Sequence, residues 1–286
     1  MKLALGTAQF GLDYGIANKE GQISSSEAKK ILQRAKNSGI NMLDTAAVYG
    51  TSERVLGQAG VEEFEIVTKL PPVPSHANDI SGWVEETIAQ SLQNLGVSTV
   101  YAVLLHRPLQ LMDSGGEELY SVLQDLRAKG WFQKFGLSVY EPSELELILP
   151  HFRVDLIQAP LNLIDRRLIS SGWLQHLSDN GIEVHARSAF LQGALLMQPK
   201  ERPQYFKAWS DSFDHYDQWL KTEKLSPLEA CLGFAYHSPV DRVIVGVDSS
   251  AQLEAIVKAI PDRPLTPPKE LESSEPNLIN PGNWNL

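Results

Sequence analysis

Asn41–Gly57 reads NMLDTAAVYGTSERVLG. It opens with an apolar run that ends at Leu43, and Asp44 follows at once. A turn of small residues leads to Tyr49 and Gly50. Thr51 and Ser52 then open a short helix that carries Val55 and Leu56 inward. An acid therefore stands at a strand end, and a tyrosine stands in the loop after it. Two later strand ends repeat the arrangement with other chemistry, Lys69 in EIVTKL and His106 in AVLLH.

The rest of the chain supplies the frame for these ends. Leu3–Gly6 reads as a strand that runs into the glycine-rich loop GTAQFGLDYG. Ser24–Ser26 caps a helix with Ala28, Ile31, Leu32 and Ala35 at helical spacing, and Asn37–Gly39 ends it. Further strands are expected at Phe64–Thr68, Val100–Leu105, Phe135–Val139, Leu156–Ala159, Glu183–Arg187 and Val243–Val245. Helices are expected at Trp83–Leu95, around Leu119–Leu126, at Pro142–Leu149, at Leu168–Leu177 and from Ser250 to Ile260. Eight strands, nearly all followed by a helix, require parallel pairing with both faces covered. The expected fold is α/β, a single (β/α)8 barrel domain over 1–286, with an open doubly wound sheet as the alternative. Two segments break the alternation. The insertion 190–224 after strand seven carries Trp209, Phe213 and Tyr216 at helical spacing, either to pack it on the barrel or to wall a pocket. The tail 261–286 is rich in Pro, Asn and Ser and reads as irregular.

Composition narrows the function. With 286 residues, 43% hydrophobic and 21% charged, the chain is an ordinary globular sequence. A net charge of −10 argues against a nucleic-acid binder. The one cysteine, Cys231 in EACLGFAY, allows no intrachain disulfide and reads as a buried, inert thiol. No apolar run nears the ~20 residues that cross a bilayer, and the first residues do not read as a signal peptide. A cytoplasmic location without membrane contact is the expectation.

Asp44, Tyr49, Lys69 and His106, in this order at successive strand ends and the loop between, resemble the aldo-keto reductase family. The likeness runs from Leu3 to about Ile256. It implies reduction of a small-molecule carbonyl with a nicotinamide cofactor and assigns catalytic roles to these four residues. Tyr49 is the proton donor, since a free phenol titrates near ~10 and stays protonated at neutral pH. Lys69 is expected to draw that pKa down, Asp44 to keep Lys69 charged, and His106 to orient the carbonyl. Glu53, on the short helix, reads as solvated or as a helix tether.

The resemblance also implies the cofactor contacts, with departures. Gly6 and Thr7 lie in the loop under the cofactor, and Asp44 belongs with them. Family members hold the carboxamide with a Ser-Asn pair and a Gln. Here the pair is Ser138 with Val139, and the glutamine is Gln158. Where many members stack an aromatic on the nicotinamide, this chain has Arg187. A cation there is unfavourable beside an oxidised ring, and an ion pair across the barrel mouth is the other reading of Arg187. Ser188 to Gln192 would follow the pyrophosphate. Gly246, Asp248, Ser249 and Gln252 form the loop after strand eight, where backbone N–H groups at a helix start make an anion site. No Lys or Arg stands in that loop to clamp a 2′-phosphate, and Asp248 would repel one. NADPH is nonetheless expected, from the family's usual partner, with NADH as the alternative.

Two rival readings remain. One is a nicotinamide-binding regulatory or structural barrel subunit with little catalysis. The other is a metal-dependent sugar isomerase, which needs a carboxylate and histidine cluster that this sequence does not offer, so no metal is expected. The pocket is expected from Phe10–Tyr14, Pro71–Trp83, Arg107, Asn162 and the insertion. The chain is expected to be a monomer or weak oligomer.

Overall fold

A computed structural model describes residues 1–75 and 77–285. His76, inside the proline-rich loop expected at the pocket, and Leu286, at the end of the tail, lie outside the described residues. The strands are β1 (Leu3–Gly6), β2 (Met42–Asp44), β3 (Glu65–Leu70), β4 (Val100–Leu105), β5 (Phe132–Ser138), β6 (Leu156–Pro160), β7 (Glu183–Arg187) and β8 (Arg242–Gly246). They pair in chain order, all parallel, and β8 returns to β1 with Leu3 opposite Val243 and Gly6 opposite Gly246. The sheet is thus a closed barrel, and the open-sheet alternative is excluded.

Several strands start earlier or run further than their apolar cores suggested. The reason is the period of two along a strand, which aims alternate residues into the barrel. Glu65, Val67 and Lys69 of β3 and Arg242, Ile244 and Gly246 of β8 form such inward rows. Polar residues at the strand ends therefore belong to the strand although they look like loop. At the bottom, Arg242 meets Glu65 at 3.3 Å. Glu183 accepts from Tyr101 at 2.6 Å, pairs with Lys134 and lies 2.7 Å from His185 Nε2. Above them Ala4, Met42, Val67, Ala102, Leu104, Leu156 and Ile244 form the apolar middle. The top holds Asp44, Lys69, Ser138 and Gln158, all buried.

Outside the barrel lie α1 (Ser25–Asn37), α2 (Ser52–Ala59), α3 (Ile80–Leu95), α4 (Gly116–Ala128), α5 (Pro142–Ile148), α6 (Arg167–Ser170) and α7 (Trp173–Asp179). Helix α3 begins before Trp83 because Asp79 caps it, accepting from the Gly82 N–H at 2.8 Å. The helix expected over Leu168–Leu177 is two short helices, broken at Gly172, whose φ of 82° no helix contains. After β7 come α8 (Ser210–Glu223) and α9 (Pro227–Ala235), then α10 (Ser250–Lys258) after β8 and α11 (Pro276–Ile279) in the tail.

The insertion packs its aromatic face inward. Phe213 and Tyr216 are buried, and the Tyr216 hydroxyl donates to the Leu195 carbonyl at 3.0 Å. Arg202 grips Asp217 through two hydrogen bonds and lies 4.5 Å from the Phe213 ring centre. Cys231 in α9 is buried, and burial pushes its thiol up to about 12, so it stays protonated. The tail is tied down by Arg166, which donates to the Pro268 carbonyl at 2.7 Å, and by Trp284, edge-on to Phe206 at 5.0 Å. Among the described residues no helix is long and apolar enough to cross a membrane.

Candidate active site

Tyr49 is placed by backbone meeting backbone. The loop after β1 lies so close to the loop after β2 that a Cβ on Gly11 would stand 1.8 Å from the Tyr49 carbonyl oxygen. In return Gly50 has a φ of 55°, and a Cβ there would stand 2.3 Å from the Gly11 carbonyl oxygen. Only glycine fits either position. Side chains lock the same junction. Thr7 Oγ1 donates to the Asp44 carbonyl at 2.9 Å, and Ser52 Oγ donates to the Thr7 carbonyl at 2.8 Å. Glu53 is buried and accepts from Thr68 Oγ1 at 2.7 Å, so it tethers α2 to β3 and is not solvated.

Under Tyr49 lies a buried ion pair. Lys69 Nζ is 2.8 Å from both carboxylate oxygens of Asp44 and 2.9 Å from the Thr45 carbonyl. These acceptors use all three ammonium hydrogens. Gln158 Nε2 donates to Asp44 Oδ1 at 2.7 Å. Lys69 Nζ also stands 5.1 Å from the centre of the Tyr49 ring. Burial pulls the Lys69 pKa below its ordinary value, and Asp44 resists that pull.

The tuning of Tyr49 differs from the sequence expectation. Burial raises its pKa, and the Asp44 carboxylate raises it further, while Arg187 pulls it down. The charge of Lys69 is spent on Asp44, so in the free protein it does not draw the pKa of the phenol down. His106 meets Tyr49 edge to face, with ring centres 6.1 Å apart. Burial, with Lys69 and Arg187 beside it, lowers His106 to about 4, so its ring is neutral at pH 7. Tyr14 is raised to about 12, mainly by burial.

A cavity of about 560 Å³ opens above these groups. That volume suits a small-molecule or cofactor site. Asp44, Tyr49 and His106 line one end, together with Ser138, Gln158 and Arg187. Gly6, Thr7, Ser188 and Gln192 line its length, and Gly246, Asp248 and Gln252 its far part. Lys69 lies just beneath and does not face it. The backbone after β7 is wound tightly here, with Ser188, Leu191 and Gln192 at φ values of 59°, 48° and 51°. Non-glycine residues seldom adopt such values, and they gather at ligand sites.

Three expectations need correction. Arg187 makes no ion pair among the described residues. Its Nη2 donates to the Val139 carbonyl at 2.9 Å, and its guanidinium lies 4.3 Å from the Tyr140 ring centre. The anion site at the start of α10 is already engaged. Glu27 of α1 accepts from both the Ser250 N–H and its hydroxyl at 2.8 Å. Ser249 caps the helix by accepting from the Gln252 N–H, and it does not line the cavity. The Asp248 N–H donates to Gln252 Oε1 at 2.7 Å, and Asp248 Oδ1 is buried without a partner. Finally, the described part of Pro71–Trp83, Arg107 and Asn162 do not line the cavity. The insertion does, through Phe190, Gln192, Gly193 and Leu196, and so do Asn18, Leu228 and the tail residues Pro281 and Gly282. The tail contribution was illegible in sequence, because proline-rich irregular chain carries no periodicity. No group of three or more His, Cys, Asp or Glu side chains converges as for a metal among the described residues.

The chain is a closed eight-stranded parallel barrel with acid, tyrosine, lysine and histidine gathered at its C-terminal mouth. Residues 2–270 match the model of the Aldo/keto reductase family, and the chain belongs to that family. It is 25% identical to an uncharacterized oxidoreductase, YqkF, of Bacillus subtilis, over 93% of this chain and 92% of that one. It is also 25% identical to a probable voltage-gated potassium channel subunit beta of Arabidopsis thaliana, over 96% and 93%. Among solved structures, the aldo-keto reductase AKR11C1 from Bacillus halodurans in its holo form superposes with a TM-score of 0.72. That match is at 21% identity and covers 93% of this chain and 88% of the other, and it speaks for the fold alone.

Proposed function

We propose that this protein reduces an aldehyde or ketone to the alcohol, using NADPH, with Tyr49 as the general acid. The observation that carries this reading is the buried Asp44–Lys69 pair under Tyr49 and His106, at the floor of a cavity large enough for cofactor and substrate. Bound nicotinamide would supply the hydride. The chain supplies the proton and the positioning. The Tyr49 phenol keeps its proton at neutral pH and gives it to the carbonyl oxygen as that oxygen becomes alkoxide-like. Neutral His106 donates a hydrogen bond to the same oxygen. Lys69 and Asp44 hold the floor rigid and fix the field that the phenol meets. Ser138 and Gln158 would hold a carboxamide, and Gly6, Thr7, Ser188 and Gln192 would flank the rest of the cofactor.

NADPH comes first from the family's habit. Discrimination against NADH is small, because among the described residues the far part of the cavity offers Asp248 and no Lys or Arg. The same reading makes the chain a cytoplasmic enzyme, one barrel domain that works as a monomer or weak oligomer on a small-molecule carbonyl. The test is NADPH oxidation across a panel of aliphatic, aromatic and sugar-derived aldehydes, with NADH in parallel. Turnover with at least one carbonyl is expected. Tight cofactor binding without turnover of any carbonyl would favour the second reading, a regulatory or structural barrel subunit. The likeness to a probable channel subunit beta supports that alternative.

A further inference from the structure

The reaction end of the cavity carries an unbalanced charge. Asp44 and Lys69 neutralise each other at 2.8 Å. His106 is neutral at pH 7, and Tyr14 and Tyr49 keep their protons. Arg187 remains, and among the described residues no carboxylate lies within ion-pair distance of it. Its guanidinium is fixed by the Val139 carbonyl and by stacking on Tyr140, with a long contact of 3.4 Å to Ser188 Oγ. Among the described residues, the other N–H groups of its five have no protein acceptor. It lines the same cavity as Tyr49 and His106, and its charge lowers the pKa of both.

We propose that Arg187 makes this site favour the reduced over the oxidised nicotinamide, so that the protein holds NADPH more tightly than NADP⁺. This rests on the nicotinamide reading above. Hydride leaves the ring with its electron pair and bonds to the carbonyl carbon, while Tyr49 gives its proton to the carbonyl oxygen and is reprotonated from water. The ring is left with a formal positive charge. A ring that reaches a carbonyl seated at Tyr49 and His106 lies beside Arg187, and two cations repel at that range. The diphosphate and riboses are the same in both redox forms, so their contacts cancel in the ratio of affinities. Only the charge of the ring differs.

The experiment is a fluorescence titration of the protein with NADPH and with NADP⁺ at pH 7 and low salt. It compares wild type, Arg187→Gln, Arg187→Met and Arg187→Lys, each checked by thermal melting. Wild type should bind NADPH at least about ten-fold more tightly, a difference that one nearby charge readily supplies. The Gln and Met variants should bring the ratio close to one, and Lys should keep most of it. A wild-type ratio near one overturns the proposal, whatever the variants do. So does a neutral variant that weakens both forms equally, which would make Arg187 a diphosphate contact. If wild type binds neither form, the nicotinamide reading falls, and this proposal falls with it. Binding of both forms at an unchanged ratio removes only this proposal.

Discussion

The barrel carries a charged network at each end, half-buried at the bottom and buried at the top, and the two differ in what their partners leave unspent. At the bottom, one Glu183 carboxylate takes bonds from Tyr101, Lys134 and His185. Burial alone would raise its pKa, but those three partners hold it down at about 2. At the top, Asp44 takes Lys69 and Gln158, and a cavity opens above with Tyr49, His106 and Arg187 facing it. A network of paired charges at a barrel end therefore does not by itself mark chemistry. The top differs in bringing a protonated phenol, a neutral imidazole and a guanidinium to one void, which is what the proposed chemistry needs.

The largest expected effect separates the two ends outright. Tyr49→Phe should lower kcat and kcat/KM by about 10²–10⁴-fold, the range of a lost general acid, while the cofactor dissociation constant moves little. Retained turnover in that variant would remove Tyr49 from the chemistry. Lys69→Met comes next, because it strands the buried Asp44 carboxylate. A stability loss of about 3–5 kcal/mol in denaturant unfolding is expected, together with near-complete loss of activity. Wild-type turnover in a destabilised variant would make the top network structural only, like the bottom one.

The bottom supplies the control. Glu183→Gln should cost about 1–3 kcal/mol of stability and leave kcat within about two-fold. The sign of its pH dependence follows from the lowered carboxyl. Its folded pKa lies below its unfolded value, so its share of stability is present above pH 4.5 and is lost as pH falls towards 2. Wild type should lose stability through that window more steeply than the variant. A large fall in kcat instead would couple the two networks through the apolar middle of the barrel. The smallest effect lies at the far end of the cavity. Asp248→Ser should tighten NADPH by about three- to ten-fold, with NADH little changed, as expected for removing one like charge from near a phosphate. An unchanged variant would show that the unpartnered Asp248 oxygen faces something other than the ribose.

The barrel and the four residues at its mouth were legible because each rests on a local pattern. Strand alternation shows the inward rows, and Asp44, Lys69 and His106 stand where apolar runs stop. What stayed hidden depends on contacts between distant segments. Nothing near Gly11 in the sequence says that its hydrogen atoms face the Tyr49 carbonyl. Glu27 looks like an ordinary first-turn acid of α1, yet it occupies the donors of Ser250 on α10. Sequence proximity in the barrel also suggested that Lys69 would serve Tyr49, whereas all its hydrogens go to Asp44 and Thr45. Hydrogen-bond allocation is a three-dimensional count, and a list of residue types does not contain it.

The closure of the barrel has a consequence in time. Gly6 of β1 sits opposite Gly246 of β8, and both line the cavity. One wall of the site is therefore the seam between the first and last strands of the barrel. During synthesis β1 waits with an open edge until β8 emerges, and a pairing so distant in the chain forms slowly. A molecule seated across that seam binds only after it has shut, and its binding energy then opposes reopening.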